Sequence, residues 1–119
     1  MKVALITGAS RGIGNAIALH LKNEGYRVLG TATSANGVSK LEDQGIEGLV
    51  LDLNSLDSKE RLWEQIESKE IQISALVNNA GITRDNIVLR MSENEWQDIM
   101  NVNLNGAFYL SKKVLKMML

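Results

Sequence analysis

The amino-acid sequence predicts a doubly wound α/β fold, in which helices cover both faces of a parallel sheet. Three observations lead to this prediction. Short runs of β-forming residues alternate with amphipathic helical segments along the 119 residues. Each run is apolar throughout rather than at every second position, which is typical of strands buried on both faces. A glycine-rich turn joins the first of these runs to the first helical segment.

Four segments are predicted to be strands: residues 3–6, 27–31, 48–51 and 73–77. The connections between them contain helical segments, and crossovers of this kind between parallel strands are right-handed. We expect the strand order 3-2-1-4, because a reversal of winding after the third strand opens a crevice at the carboxyl edge of the sheet.

Two connecting segments have apolar residues at helical spacing and are predicted to be helices that pack on the sheet. The first carries Ile13, Ala16, Ile17 and Leu21. The second opens at residues 54–55 and carries Leu62, Trp63 and Ile66. Residues 39–44 carry a weaker helical pattern, which Gly45 would end.

The last segment is predicted to be one long amphipathic helix. Ser92 and Glu95 have the spacing of a capping box at its start. Its apolar stripe comprises Trp96, Met100, Ala107, Leu110 and Val114, and Asn103 is expected on the same buried stripe, between Met100 and Ala107. The helical pattern continues at Leu119 with no strand after it, so we expect residues 1–119 to be one domain and the N-terminal segment of a longer fold.

Composition and charge exclude several classes of function. Apolar residues make up 45% and charged residues 23% of the chain, as in ordinary soluble domains. Thirteen basic and fourteen acidic residues leave no broad positive charge for a nucleic acid or an anionic membrane. Without cysteine the chain has no disulfide and no thiolate metal site. The N-terminal apolar run is too short for a signal peptide or a membrane span, so we expect a cytoplasmic location.

The turn after the first strand, with the sequence TGASRGIG, has the composition that a dinucleotide requires. Gly8 allows a tight exit from the strand, Gly12 lets the backbone approach a pyrophosphate, and Gly14 permits close packing of the helix. The N–H groups of the first helical turn would face the phosphates. A glycine turn that only connects strand and helix is the alternative, and the position of this one between the first strand and a helix favours the dinucleotide.

The spacing of these glycines resembles that of the short-chain dehydrogenase/reductase family. A second motif supports the resemblance, because residues 78–81 read Asn-Asn-Ala-Gly after the fourth strand, where the family carries the same four residues. The resemblance implies a Rossmann-type fold. It also implies that Asn79 stabilises the central strand and that Ala80 and Gly81 let the cofactor ribose lie against bare backbone.

Further residues are expected in the cofactor site. Asp52, after the third strand, matches the family residue that hydrogen-bonds the adenine amino group, although an aspartate in this position is also a common turn former. Ser10, Ile13 and Leu53 complete the predicted set.

The second strand indicates the choice of cofactor. NAD-dependent relatives carry an aspartate at its end for the ribose 2′-hydroxyl, and Ala32 stands in that position. Arg11 precedes Gly12 and could pair with a 2′-phosphate, with Thr33 as an additional hydrogen-bond donor. NADP(H) is therefore the predicted cofactor; a solvated surface arginine is the alternative interpretation of Arg11.

Within the family, residues 30–34, 79–86 and 89–91, together with Trp96, resemble bacterial 3-oxoacyl-acyl-carrier-protein reductases. This resemblance implies NADPH-dependent reduction of a 3-oxoacyl-acyl-carrier protein in fatty acid biosynthesis. The fourth strand, residues 73–77, would leave a bare apolar edge and the last helix would lack its cover, so we expect a homo-oligomer. Asn103 matches the asparagine of the family's catalytic constellation, which breaks the helix locally and holds a water of the proton relay. The catalytic serine and the Tyr-x-x-x-Lys pair of the family would come after Leu119, so this chain alone should be inactive.

Two patterns are interpreted as coincidental. Tyr109 and Lys113 have the Tyr-x-x-x-Lys spacing but follow Asn103 on the same helix, far earlier than the family's tyrosine. His20 has no second metal ligand near it in the sequence. The alternatives that the sequence leaves open are a non-catalytic dinucleotide-binding fragment and another short-chain reductase, such as an acetoacetyl-CoA reductase.

Overall fold

A computed structural model of the chain describes residues 1–82 and 88–119. Four parallel strands form one sheet in the order β3-β2-β1-β4, as predicted. The elements are β1 (Val3–Ile6), α1 (Gly12–Asn23), β2 (Arg27–Ala32), α2 (Ala35–Asp43), β3 (Glu47–Val50), α3 (Leu56–Ser68), β4 (Ala75–Val77), a 3₁₀ turn (Val88–Arg90), α4 (Glu93–Met100), a π-helix (Asn101–Asn105) and α5 (Gly106–Met118).

Two apolar cores lie on opposite faces of the sheet, which confirms the doubly wound prediction. Alternate residues of β1 point to opposite faces, so that Leu5 packs with α3 and α5 while Ile6 packs with α1 and α2. Leu62, Trp63 and Ile66 of α3 are all buried, as their spacing predicted. Both faces of β1 are therefore shielded from water, which explains why all four of its residues are apolar.

The apolar stripe predicted for α1 is only partly correct. Ile13 and Ala16 are exposed, while Gly14 and Ala18 are the buried residues of this helix. The small residues face the sheet because α1 packs closely against the turn that precedes it. The spacing of the larger side chains therefore indicated a helix correctly but placed its buried face wrongly.

Helix α2 begins earlier than the predicted residues 39–44. Ser34 caps it and accepts a hydrogen bond from Gly37 N at 3.2 Å. Leu41 is fully buried, and Gly45 adopts a positive φ of 78° after the helix, as expected for a residue that ends one.

The predicted long C-terminal helix is interrupted. Ser92 caps α4 as predicted, with its hydroxyl oxygen accepting from Glu95 N at 3.1 Å. The α-helical pattern then gives way to the π-helix before α5 continues. Leu110 and Val114 of the predicted stripe are buried, but Trp96 is 54% exposed. In a π-helix each backbone N–H bonds to the carbonyl group five residues earlier, rather than four as in an α-helix. The wider turn rotates the faces of α4 and α5 relative to one another.

Candidate functional site

A cavity of about 540 Å³ opens where β1, β2 and β4 end. This is the carboxyl edge of the parallel sheet, where ligands of doubly wound folds bind. Its walls come from the turn after β1, from the end of β2 and from the segment after β4. The lining residues are Gly8, Ser10, Arg11, Gly12, Ala32, Thr33, Ser34, Asn79, Ala80, Gly81 and Ile82.

The turn after β1 has the backbone that its glycines predicted. Gly8 and Gly12 have φ values of 62° and 58°, in the left-handed region that favours glycine. A Cβ atom on Gly14 would overlap the carbonyl oxygen of Gly8 and the Nδ2 atom of Asn79, so only glycine lets α1 start this close to the strand. A Cβ on Gly12 would meet no atom, which leaves its backbone accessible from the cavity.

Two threonine hydroxyls that the sequence analysis did not assign hold the floor of the cavity. The Thr7 Oγ1 atom accepts hydrogen bonds from Asn79 N at 3.1 Å and Ala80 N at 2.9 Å. The Thr31 Oγ1 atom accepts from Gly8 N at 3.1 Å. Both threonines are 1% exposed. A threonine that closes an otherwise apolar strand was the available signal, since a buried hydroxyl requires partners.

Asn79 joins the ends of β1 and β4. Its Nδ2 atom donates to the carbonyl oxygen of Gly8 at 3.1 Å, and its side chain is half-buried. Together with the Thr7 hydroxyl, this bond fixes the segment from Asn79 to Ala80 against the glycine turn. The geometry agrees with the stabilising role predicted for Asn79.

The end of β2 and the start of α2 form one wall of the cavity. Ala32 ends β2 and carries no charge, while the exposed side chain of Arg11 makes no ion pair within residues 1–82 and 88–119. Gly37 lets the start of α2 come close, because a Cβ there would lie 2.6 Å from the Cβ of Ala32. The N-terminal turn of α2, capped by Ser34, therefore borders the cavity.

Three predicted cofactor residues do not line this cavity with their side chains. Asp52 accepts a hydrogen bond from Asn54 N at 2.9 Å and so forms the turn that the sequence analysis had kept as an alternative. Leu53 is buried in the core, with 6% of its surface exposed. Ile13, in the first turn of α1, is 75% exposed. Their contact with a cofactor stays a prediction.

Asn103 lies in the middle of the π-helix and is bonded twice to one residue. Its Oδ1 atom accepts from Ile82 N at 2.8 Å, and its Nδ2 atom donates to Ile82 O at 2.9 Å. The expectation that Asn103 belongs to a buried stripe is wrong, because the residue is exposed. The π-helix explains the difference, since it breaks the helical periodicity on which that expectation rested. Gly81 makes room for the amide: a Cβ there would lie 3.1 Å from Asn103 Oδ1.

The Tyr109–Lys113 pair lies away from the cavity. The ammonium groups of Lys59 and Lys113 lie 5.2 and 5.7 Å from the centre of the Tyr109 ring. Burial, together with the nearby Glu60 and Glu67 carboxylates, raises the pKa of the Tyr109 phenol. A tyrosine that donates a proton to a ketone needs a lowered pKa, so the environment of Tyr109 disfavours that role.

The potential metal ligands of the described residues do not cluster. His20 is exposed and lies 3.9 Å from Glu24, one helical turn away. Residues 1–82 and 88–119 contain no group of three His, Cys, Asp or Glu side chains that could hold a metal ion. No helix in this part of the chain is both long and apolar enough to cross a membrane. Residues 83–87, which carry part of the narrower resemblance, lie outside the described residues.

Comparison with known proteins identifies the family. The family model for the short chain dehydrogenases matches residues 2–119. The chain belongs to the short-chain dehydrogenase family. It is 52% identical over 121 residues to a 3-oxoacyl-[acyl-carrier-protein] reductase of Pseudomonas aeruginosa, a match that covers 97% of this chain and 49% of that protein. The corresponding reductase of Escherichia coli is 50% identical, with 99% of this chain and 50% of that protein covered.

A solved structure has the same fold. The chain superposes on 4-hydroxyisoleucine dehydrogenase complexed with NADH with a TM-score of 0.87 and 26% identity, covering 98% of this chain and 49% of that one. The chain thus spans about half the length of the relatives it matches. The structure of that neighbour contains the nicotinamide dinucleotide NADH.

Proposed function

We propose that the chain is the NADPH-binding part of a cytoplasmic 3-oxoacyl-[acyl-carrier-protein] reductase of fatty acid biosynthesis. The whole protein would reduce the 3-oxo group to a 3-hydroxy group. The observation that carries the proposal is the cavity between the glycine turn, Arg11 and Ala32. The activity printed for the Pseudomonas aeruginosa and Escherichia coli relatives supports the substrate class.

The glycine turn and the start of α1 fit a dinucleotide pyrophosphate. The positive φ values of Gly8 and Gly12 turn the backbone around the start of α1, and nothing occupies the space that a Cβ of Gly12 would fill. The first N–H groups of a helix lack partners within the helix, and they carry the positive end of its dipole. Gly12 and Ser10 would therefore hold the phosphates by backbone and hydroxyl hydrogen bonds.

Discrimination between NADPH and NADH would rest on the wall at the end of β2. Ala32 presents no carboxylate that would repel a 2′-phosphate, and Arg11 has no anionic partner among the described residues. Thr33 and Ser34 add hydroxyl groups at the start of α2. A guanidinium that pairs with a phosphate contributes about 1.5–3 kcal/mol through charge-assisted hydrogen bonds.

On the nicotinamide side, the chain's own residues would orient groups rather than transfer protons. Bound NADPH would supply the hydride. The Asn103 amide uses one N–H and one lone pair for Ile82, which leaves one of each for a water molecule. Asn103 would thus hold a water beside Ile82 and Gly81, in agreement with the role that the family resemblance implies.

The partners in this proposal are an acyl-carrier-protein-bound substrate, for which the names of the relatives are the support, and further copies of the same protein. Large apolar side chains on α4, the π-helix and α5 support self-association, since Trp96, Leu104, Phe108 and Leu115 are each more than half exposed. Nucleic acid and membrane are not among the proposed partners.

The test is titration calorimetry of the chain with NADPH and with NADH. We expect NADPH to bind at least tenfold more tightly, and Arg11→Ala to lose most of that preference. Arg61→Ala is the matched control, because Arg61 pairs with Asp57 on α3 and does not line the cavity. Equal affinities for the two cofactors, or a preference that survives Arg11→Ala, would contradict the proposal.

A further inference from the structure

Four polar side chains form a continuous chain of hydrogen bonds beside the π-helix. Asn105 Nδ2 donates to Asn101 Oδ1 at 3.1 Å, and Asn101 Nδ2 donates to Asn54 Oδ1 at 3.2 Å. Asn54 Nδ2 in turn donates to Asp98 Oδ1 at 3.0 Å. Each amide donates in the same direction and the chain ends on a carboxylate. Hydrogen bonds arranged in this way polarise one another and strengthen the last, charge-assisted bond.

The positions of these residues relate them to the π-helix. Asn101 and Asn105 are its first and last residues, and Asn103 is its middle residue. Asp98 belongs to α4, one turn before the π-helix. Asn54 is the only one of the four from another part of the sequence, the connection between β3 and α3. It uses both ends of its amide on this helix, one for Asp98 and one for Asn101.

A second contact holds the same connection against the helix. Leu53 packs on Gly106, the first residue of α5: a Cβ on Gly106 would lie 3.0 Å from the Cβ and Cδ2 atoms of Leu53. Leu53 and Asn54 therefore hold the two ends of the π-helix. Leu53 contacts the residue that follows it, and Asn54 forms hydrogen bonds at its start. A π-helix has a less favourable backbone than an α-helix and needs such support from its surroundings.

We infer that Asn54 is a positioning residue, which keeps the π-helix in the register that presents Asn103 to Ile82. Its amide bridges Asp98 and Asn101, so that the π-helix cannot relax into a continuous α-helix without breaking both bonds. The relaxation would turn Asn103 away from the backbone of Ile82. This inference rests on the role proposed for Asn103, and its structural part stands apart from cofactor binding.

The test is amide hydrogen exchange of Ile82 measured by NMR in the chain without cofactor. Ile82 N–H donates to Asn103 Oδ1, so its exchange rate reports on the position of Asn103. We expect Asn54→Ala to speed this exchange at least tenfold while the exchange of Leu5 N–H in β1 stays unchanged. Ser111→Ala is the matched control: it removes a hydrogen bond between α5 and Asn78 and should leave Ile82 unaffected.

Exchanging the amide and the carboxylate between positions 54 and 98 distinguishes a positioning role from general destabilisation. Asn54→Asp alone sets two carboxylates against each other and should speed Ile82 exchange as much as Asn54→Ala. Adding Asp98→Asn restores both bonds, since the carboxylate at position 54 can accept hydrogen bonds from the amides at positions 98 and 101. The Ile82 exchange rate of this double variant should be within threefold of the rate in Asp98→Asn alone. An unchanged rate in Asn54→Ala, an equal acceleration at Leu5, or a double variant as fast as Asn54→Asp would overturn the inference. The exchange measurement does not require NADPH, whereas the proposed function is tested by calorimetry with NADPH. Failure of one can therefore be distinguished from failure of the other.

Discussion

Replacement of Asn79 by alanine is expected to destabilise the fold through a single lost hydrogen bond. Asn79→Ala removes the bond from Nδ2 to the Gly8 carbonyl oxygen, while the backbone bonds from residues 79 and 80 to Thr7 Oγ1 remain. Leaving a buried acceptor unpaired costs about 1–3 kcal/mol. Gly8 and Asn79 are half-buried, so that water reaches the site in part, and the lower half of that range, about 1–2 kcal/mol, applies.

The neighbouring asparagine is the matched control. Asn78 is exposed, and its amide donates to the Ser111 hydroxyl at 3.1 Å on the surface. Asn78→Ala should change the free energy of unfolding by no more than about 0.5 kcal/mol. Urea unfolding followed by circular dichroism measures both values in the same chain. Equal stability of Asn79→Ala and the parent, or equal losses in the two variants, would refute the reasoning.

Four further predictions concern other parts of the chain. Gly14→Ala should lose at least about 2 kcal/mol of stability and detectable NADPH binding, because its Cβ would overlap Gly8 and Asn79; unfolding and calorimetry would measure the two losses. Arg27 keeps the pKa of Glu47 below its usual 4.5, so the pair stabilises the fold fully above that pH and loses its contribution as the pH falls further. Glu47→Gln should remove this pH dependence of stability. The effect in acid-unfolding curves should be at most about 1 kcal/mol, because the pair is exposed. The purified 119-residue chain should not oxidise NADPH with an acetoacetyl thioester, and activity that disappears in Tyr109→Phe would contradict the interpretation of that tyrosine. Light scattering should show a dimer or larger assembly, because β4 is an edge strand and α4 and α5 expose large apolar side chains; a stable monomer would contradict it.

The sheet could be predicted from the sequence because its signals are local. Fully apolar runs such as residues 3–6 identify strands covered on both faces, and their alternation with helical segments indicates parallel strands joined by crossovers. The tight exit from the strand at Gly8 and the close packing at Gly14 were predicted correctly, because the first needs a positive φ and the second has no room for a Cβ. A residue whose role follows from its own conformation can be identified without knowledge of its neighbours.

The parts that could not be predicted depend on contacts between distant segments. The buried face of α1 was misplaced, since Gly14 and Ala18 are buried by close approach rather than by their own hydrophobicity. A break of the last helix at Asn103 was expected from the family resemblance alone, whereas its contact with Asn54, which lies 47 positions before Asn101, could not be predicted. The Thr7 hydroxyl likewise binds a segment 72 residues away. Such partners become visible only when the chain is folded.

Titration of ¹⁵N-labelled chain with NADPH, followed by NMR, tests the central claim most directly. We expect the amide signals of Ser10, Gly12, Thr33 and Gly81, which line the cavity at the carboxyl edge of the sheet, to shift on binding. Signals of Lys69, which borders a separate pocket beside β3, should stay in place. Absence of any shift at millimolar NADPH, or shifts confined to residues outside the cavity, would contradict the account.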